Sequence, residues 1–205
     1  MTNILYLIKQ NEIIQKIKEL GSKLNIPMIQ DEGLAFMVSL LSSKNNLKIL
    51  EIGTAIGYSA IALSLLSDAE IWTIERNKDL YDLALSNINE LSLSDKIHPI
   101  LGDAFDINMD INRHYDVIFI DAAKAQYQRF FIKFEQQLSE DGIIITDNLS
   151  FHGIVQNKQD NLTRNQRAIA RKIQGFIDWL KTLDNYNTDF FDIGDGMSVS
   201  RRKRG

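Results

Sequence analysis

At 205 residues, with 44% apolar side chains and no cysteine, the chain has the length of one globular domain and cannot form a disulfide framework, a thiolate zinc site or a cysteine nucleophile. Its formal net charge of -4, from 23 basic and 27 acidic residues, excludes a protein that coats nucleic acid wholesale but is compatible with a local basic patch. No stretch approaches the roughly 18 apolar residues of a membrane span, and residues 1–10 lack the apolar run of a secretory signal, so a cytoplasmic protein with no membrane partner is expected.

In chain order, Ile13, Ile14, Ile17, Leu20 and Leu24 recur at helical spacing until Gly21 and Pro27 interrupt the pattern, which predicts an amphipathic N-terminal helix. A second helical run at 34–41 leads through the polar turn 42–46 into a first apolar strand at 47–52, so residues 1–46 read as a helical cap. Further apolar runs at 71–75, 97–101, 117–121 and 143–147 are separated by longer helical patterns. This alternation predicts an α/β fold, a parallel sheet with helices on both faces. The last third differs: 164–183 reads as one long helix, followed by strands at 188–193 and 197–200 with Asp195-Gly196 between them as a hairpin signal. Residues 201–205 read as a basic tail. No repeat, low-complexity tract or linker divides the chain, so one domain spanning 1–205 is expected.

Between the first strand and the next helix lies Glu51-Ile52-Gly53-Thr54-Ala55-Ile56-Gly57-Tyr58-Ser59, where small residues permit a tight turn with backbone N–H groups facing a ligand. Ala55 stands where a dinucleotide fingerprint needs its second glycine for close approach of a pyrophosphate, so a cofactor without phosphate suits the turn better. Glu75, at the end of the second strand, is placed to accept hydrogen bonds from ribose hydroxyls, and Asp103, after the third, to meet an adenine. Taken singly, each feature is equally an ordinary loop or a solvated strand end; together they favour a nucleoside site. Asp121 and Asp147-Asn148 close two central strands, where open α/β sheets bind ligands. Two carboxylates and an amide oxygen, with no His or Cys nearby in sequence, suit Mg²⁺ rather than zinc. Lys124 follows closely enough to share that pocket as a general base, since partial burial and an adjacent cation lower a lysine pKa.

These motifs carry a resemblance. Residues 49–60, 73–77 and Gly102-Asp103-Ala104 look like the S-adenosylmethionine-binding motifs of the cation-dependent O-methyltransferases related to catechol methyltransferases. The resemblance implies a Rossmann-like class I methyltransferase fold, with a seven-stranded, mostly parallel sheet, a C-terminal antiparallel hairpin and helices on both faces. It implies that Ile29, Glu51, Gly53, Tyr58, Ser59, Glu75, Asp103, Ala104 and Asp121 line the cofactor site. It also implies that Asp121, Asp147 and Asn148 hold Mg²⁺, and that Lys124 and Asp121 act in catalysis.

A chelating cation asks for two neighbouring oxygens on the acceptor, which a catechol and 5-hydroxyuridine both offer, so the chemistry alone leaves both open. Over residues 118–131, 143–155 and 199–204 the chain resembles the bacterial tRNA 5-hydroxyuridine methyltransferases, which implies a homodimer acting on the anticodon region of tRNA. Arg164, Arg167, Arg171 and Lys172 share one face of the long helix and, with Arg201 and Arg202, are the candidate RNA contacts. Tyr127, Phe130, Phe131, Phe151 and Trp179 include candidates for base stacking, although aromatics at helical spacing are more often core. The alternatives are a methyltransferase for small catechol-like metabolites and a non-catalytic RNA-binding protein on the same scaffold.

Overall fold

A computed structural model describes residues 1–110, 112–149 and 163–204. Phe151, residues 150–155 of the stretch compared above, and Gly205 lie outside the described residues.

Seven strands form one sheet: β1 Leu47–Ile52, β2 Ala69–Glu75, β3 Ile97–Leu101, β4 Tyr115–Ile120, β5 Leu138–Thr146, β6 Tyr186–Phe191 and β7 Met197–Arg202. Their order is β3-β2-β1-β4-β5-β7-β6, with parallel pairing throughout except at β7, which runs antiparallel to both β5 and β6. Successive parallel strands start at β1 and build outward first to one side and then to the other. The β1/β4 boundary is therefore the switch point at which loops diverge and leave a crevice at the strands' C-terminal ends.

Alternation along the buried strands divides the core into two layers. Ile49, Ile71, Val117 and Phe119 face one side, where they meet the helices α2 Glu12–Lys23, α3 Asp31–Leu41, α4 Tyr58–Leu66 and α5 Lys78–Glu90. Leu50, Ile52, Ile118 and Ile120 face the other, against α6 Tyr127–Phe134 and α7 Arg164–Lys181. Phe131, Phe134 and Ile173 are almost wholly buried there, each contributing roughly 1.5–3 kcal/mol by apolar burial. Local signals set the helix starts. The Asn11 side chain caps α2 through Ile14 N, Asn77 caps α5 through Asp79 N and Leu80 N, and Thr163 with Gln166 forms a capping box on α7.

The structure departs from the sequence reading in three places. Residues 1–10, included above in the helical cap without a helix of their own, contain a further helix, α1 Thr2–Gln10, which packs against α3. The β6–β7 connection is not a two-residue turn at Asp195-Gly196. It spans five residues, 192–196, with Gly194 at φ 57° and Gly196 at φ 80°. The basic tail is also shorter than expected, because pairing with β5 and β6 carries β7 through Arg202. Among the described residues no helix is long and apolar enough to cross a membrane.

Candidate active site

A cavity of about 690 Å³ opens at the C-terminal ends of β1, β2 and β4. Its floor is the turn after β1. Gly53 has φ 107°, and a Cβ there would stand 2.1 Å from the carbonyl oxygen of Asp121, so only glycine lets the loops after β1 and β4 meet. Ala55, also at positive φ, donates its backbone N–H to Glu75 Oε2 at 2.9 Å, while Asn77 N donates to Oε1 at 2.8 Å. Both oxygens of Glu75 are thereby aimed, and each keeps a lone pair for a ligand hydroxyl. Asp103 is fixed similarly: its Oδ1 accepts from Phe105 N at 2.9 Å, which leaves Oδ2 available to a ligand.

Ile29, Gly53, Tyr58, Ser59, Glu75, Asp103, Ala104, Asp121, Lys124 and Asn148 all line this one cavity. Glu51 does not. It is fully buried behind the wall, where it accepts hydrogen bonds from the hydroxyls of Ser59 and Thr73. The cofactor-lining role expected of Glu51 is thus corrected to a supporting one, because a strand side chain one residue before the turn points into the core layer. Burial pushes its carboxyl from the ordinary 4.5 up to about 7, against the two hydroxyl hydrogen bonds, which favour the charged form. Tyr58 donates to Asp31 Oδ1 at 3.2 Å, and Asp31 also pairs with Lys18 at 2.6 Å, tying the N-terminal cap to the start of α4.

The second half of the site gathers charge. β4 ends at Ile120 and β5 at Thr146, so Asp121 and Asp147 step off neighbouring strands side by side. Asn148, at φ 65°, places its amide between them: Nδ2 donates to Asp121 Oδ1 at 3.1 Å and to Asp147 Oδ2 at 3.2 Å. Lys124, in a 3₁₀ turn at Lys124–Gln126, donates from Nζ to Asn148 Oδ1 at 2.7 Å. Burial raises the pKa of both carboxyls, and their mutual repulsion adds to the effect at Asp147. Burial lowers the pKa of Lys124, which Asp121, Asp195 and Asp147 partly restore. Asp147 Oδ1 is buried without a hydrogen-bond partner among the described residues.

Sequence reasoning missed Asp195. Read as half of a turn, it is buried on the cavity wall, accepts from Gln30 Nε2 at 2.8 Å and acts electrostatically on Lys124. No local signal marks it, since the contact joins residues 165 positions apart.

The basic residues fall into two groups. Arg164, Arg167, Arg171 and Lys172 are exposed on α7, away from Ile173, Phe176 and Leu180, and α7 packs against the 3₁₀ turn that carries Lys124. Arg201 and Arg202, also expected to contact RNA, already have partners within the protein. Arg201 pairs with Asp189 at 3.1 Å. Arg202 donates to Tyr186 Oη, to Leu138 O and to Glu135 O, which holds β7 to the end of α6. Both lie beside an open depression of about 1230 Å³, lined by paired charges such as Arg204–Asp141, that includes none of Glu75, Asp103, Asp121 and Asp147.

Known proteins are similar to this chain over nearly its whole length. A Staphylococcus aureus protein provisionally assigned as a caffeoyl-CoA O-methyltransferase superposes with a TM-score of 0.88 at 33% identity, covering 99% of this chain and 100% of its own. The caffeoyl-CoA O-methyltransferase of Populus kitakamiensis is 28% identical over 195 residues, 90% of this chain and 82% of its own length. A Bacillus cereus O-methyltransferase solved with S-adenosylhomocysteine shares the fold, with a TM-score of 0.78 at 22% identity, over 99% of this chain and 98% of its own. The O-methyltransferase family model matches residues 6–203, and with nearly its whole length inside that match the chain belongs to the O-methyltransferase family.

Proposed function

We propose that the protein moves a methyl group from S-adenosylmethionine to the 5-hydroxyl of 5-hydroxyuridine at the tRNA wobble position, giving 5-methoxyuridine. The donor half of this reading is supported by the aimed oxygens of Glu75 and Asp103 in one cavity. It is also supported by related structures solved with S-adenosylhomocysteine or, for a Streptomyces achromogenes enzyme, with S-adenosylmethionine. The observation that carries the acceptor half is the exposed basic row of α7, on a helix packed against the turn of Lys124. A phosphate backbone docked there would lie beside the reacting lysine.

Mg²⁺ fits the second half of the site. Among the described residues no three His, Cys, Asp or Glu side chains gather to bind a metal, so the donor set is two carboxylates and an amide. Two carboxylates whose pKa values burial raises, one with an oxygen that has no hydrogen-bond partner among the described residues, form a site suited to added positive charge. Asp121, Asp147 and, once its amide turns so that Oδ1 rather than Nδ2 faces the two carboxylates, Asn148 would hold the ion, which when bound acidifies an acceptor hydroxyl. Lys124 receives the hydroxyl proton at Nζ, its amine kept available by burial. Asp121 and Asp195 orient that lysine and stabilise it once charged. The acceptor oxygen then bonds to the methyl carbon as the sulfonium carbon–sulfur bond breaks in line, leaving S-adenosylhomocysteine. The exposed apolar residues Tyr6, Leu7 and Ile13 of the cap support a homodimer.

A second reading, a small catechol-like acceptor, is favoured by the names of relatives such as the flavonoid 3',5'-methyltransferase of Vitis vinifera, 28% identical over 190 residues. The deciding experiment supplies labelled S-adenosylmethionine, Mg²⁺ and tRNA from cells lacking the gene, followed by nucleoside mass spectrometry. Labelled 5-methoxyuridine is expected. No transfer to tRNA alongside turnover of a simple catechol would replace the acceptor and keep the site.

A further inference from the structure

One cation at the cavity mouth is left unexplained by the donor and metal groups. Arg129, exposed on α6, does not line the cavity, but both of its contacts do. Its guanidinium lies over the ring of Phe105 at 4.0 Å, and Nη1 donates to Gln126 Oε1 at 2.5 Å. Arg129 therefore stands on the rim, between the loop after β3 and the 3₁₀ turn Lys124–Gln126. Two residues of a 3₁₀ turn rise only about 4 Å, so this cation is tied to the turn that carries the reacting lysine.

The platform beneath the guanidinium is fixed from α6 itself. Phe105 stacks on Phe130 with ring centroids 4.6 Å apart, and Lys133 donates from Nζ to Phe105 O at 2.7 Å and to Ile107 O at 3.1 Å. Other cations are committed within the protein: Lys133 to those carbonyls, Arg201 to Asp189 and Arg204 to Asp141. Among the described residues no carboxylate pairs with Arg129. The hydrogen bond to Gln126 uses one N–H and leaves most donors of the planar fork for a ligand. A charged, weakly hydrated guanidinium already held in place suits a phosphate, whose oxygens it can meet in pairs.

We propose that Arg129 anchors a backbone phosphate of the acceptor RNA beside the nucleotide that enters the cavity. The inference rests on the reading that the acceptor is tRNA. A ligand that filled the cavity alone would leave Arg129 unused, since it stands outside the lining, so its partner extends beyond the cavity. The donor is not that partner. S-adenosylmethionine carries no phosphate, and with its base near Asp103 its carboxylate points away from Phe105. The helix α7, with its basic row, packs against the same 3₁₀ turn as α6, so a backbone laid across the mouth would meet cations from both helices flanking Lys124. Arg129 is then a binding residue for the acceptor, and Gln126 a positioning residue that acts through it.

Steady-state methylation of tRNA from cells lacking the gene, with Mg²⁺ and at several salt concentrations, tests this in full-length wild type, Arg129→Gln and Arg129→Lys. Glutamine keeps polarity and removes the charge. Arg129→Gln is expected to raise the KM for tRNA about 3–10-fold, with the effect in KM rather than kcat, and to lower the slope of log KM against log salt by roughly 0.7–0.9. Arg129→Lys is expected to restore the slope and only part of the KM, because a point charge replaces the fork. Calorimetric titration with S-adenosylhomocysteine, which lacks phosphate, should stay within about twofold of wild type for both variants. An unchanged KM and salt slope in Arg129→Gln overturns the proposal. Losses of equal size in the lysine and glutamine variants, or a matching loss of S-adenosylhomocysteine affinity, overturn it as well. Absence of transfer to tRNA already in the wild type is a different result, which removes the acceptor reading and the anchor with it. Thermal melting accompanies each variant, and one that melts like wild type yet shows the KM and slope changes supports the anchor.

Discussion

Glu51 permits a test of the buried network under the donor pocket that needs no substrate. Its carboxyl is fully buried, bonded to Ser59 and Thr73, and raised from 4.5 to about 7. A carboxyl whose folded-state pKa exceeds its unfolded value contributes stability that is fully present below about pH 4.5 and is lost as pH rises through about 7. The full loss is about 3 kcal/mol, of which about 2.5 kcal/mol falls between pH 5 and 8. Asp121 and Asp147 are raised too and slope the same way, so the informative quantity is the difference between wild type and Glu51→Gln. Glutamine keeps the shape and carries no charge. Urea unfolding at pH 5, 6, 7 and 8, with no cofactor present, should show Glu51→Gln gaining on wild type by about 2–3 kcal/mol across that range. A difference that stays flat with pH would refute the reasoning, because it would mean that Glu51 ionises alike in folded and unfolded chains.

Asp147→Ala should lower methyl transfer on the order of 100-fold or more, since it removes a ligand of the proposed Mg²⁺. Its melting temperature without metal should not fall, because one of two repelling buried carboxylates is gone; full activity in this variant, or in excess EDTA, would remove the metal from the scheme. Gly53→Ala should cost about 1–3 kcal/mol in unfolding and abolish S-adenosylhomocysteine binding, because its Cβ meets the Asp121 carbonyl at 2.1 Å; a wild-type titration would count against that view of the turn. Reversing Arg164, Arg167 and Arg171 to Glu should raise the KM for tRNA by about tenfold or more and flatten its salt dependence. Turnover of a small catechol should be unaffected, and an unchanged KM for tRNA would move the RNA contact off α7.

What the sequence reveals of this fold and site depends on whether a position is set by its neighbours in the chain or by distant partners. The apolar runs of β1 to β5 are legible because burial on both faces leaves few polar residues within them. Asp121 is legible because a strand's last residue delivers the next side chain to the crevice, and Asn148 reaches the same crevice one position beyond the buried Asp147. Glu51 shows the limit of that rule: it lies inside β1, on the face that meets α4, and its carboxylate becomes a buried prop instead of a ligand. Arg202 reads as tail because no local pattern reports that Leu138 and Glu135 carbonyls wait across the sheet edge. Phe130, a stacking candidate whose spacing favours core, is core, yet it also lines the cavity beside Phe105. Asp195 and Gln30 are illegible for the strongest reason: the site is completed only when the C-terminal hairpin reaches the N-terminal cap. The local positions are those proposed for the metal and the ribose, whereas the long-range pair Gln30–Asp195 completes the cavity wall. The strand-end side chains are accordingly easier to read than this part of the wall, because the wall depends on a contact that exists only after the sheet has closed.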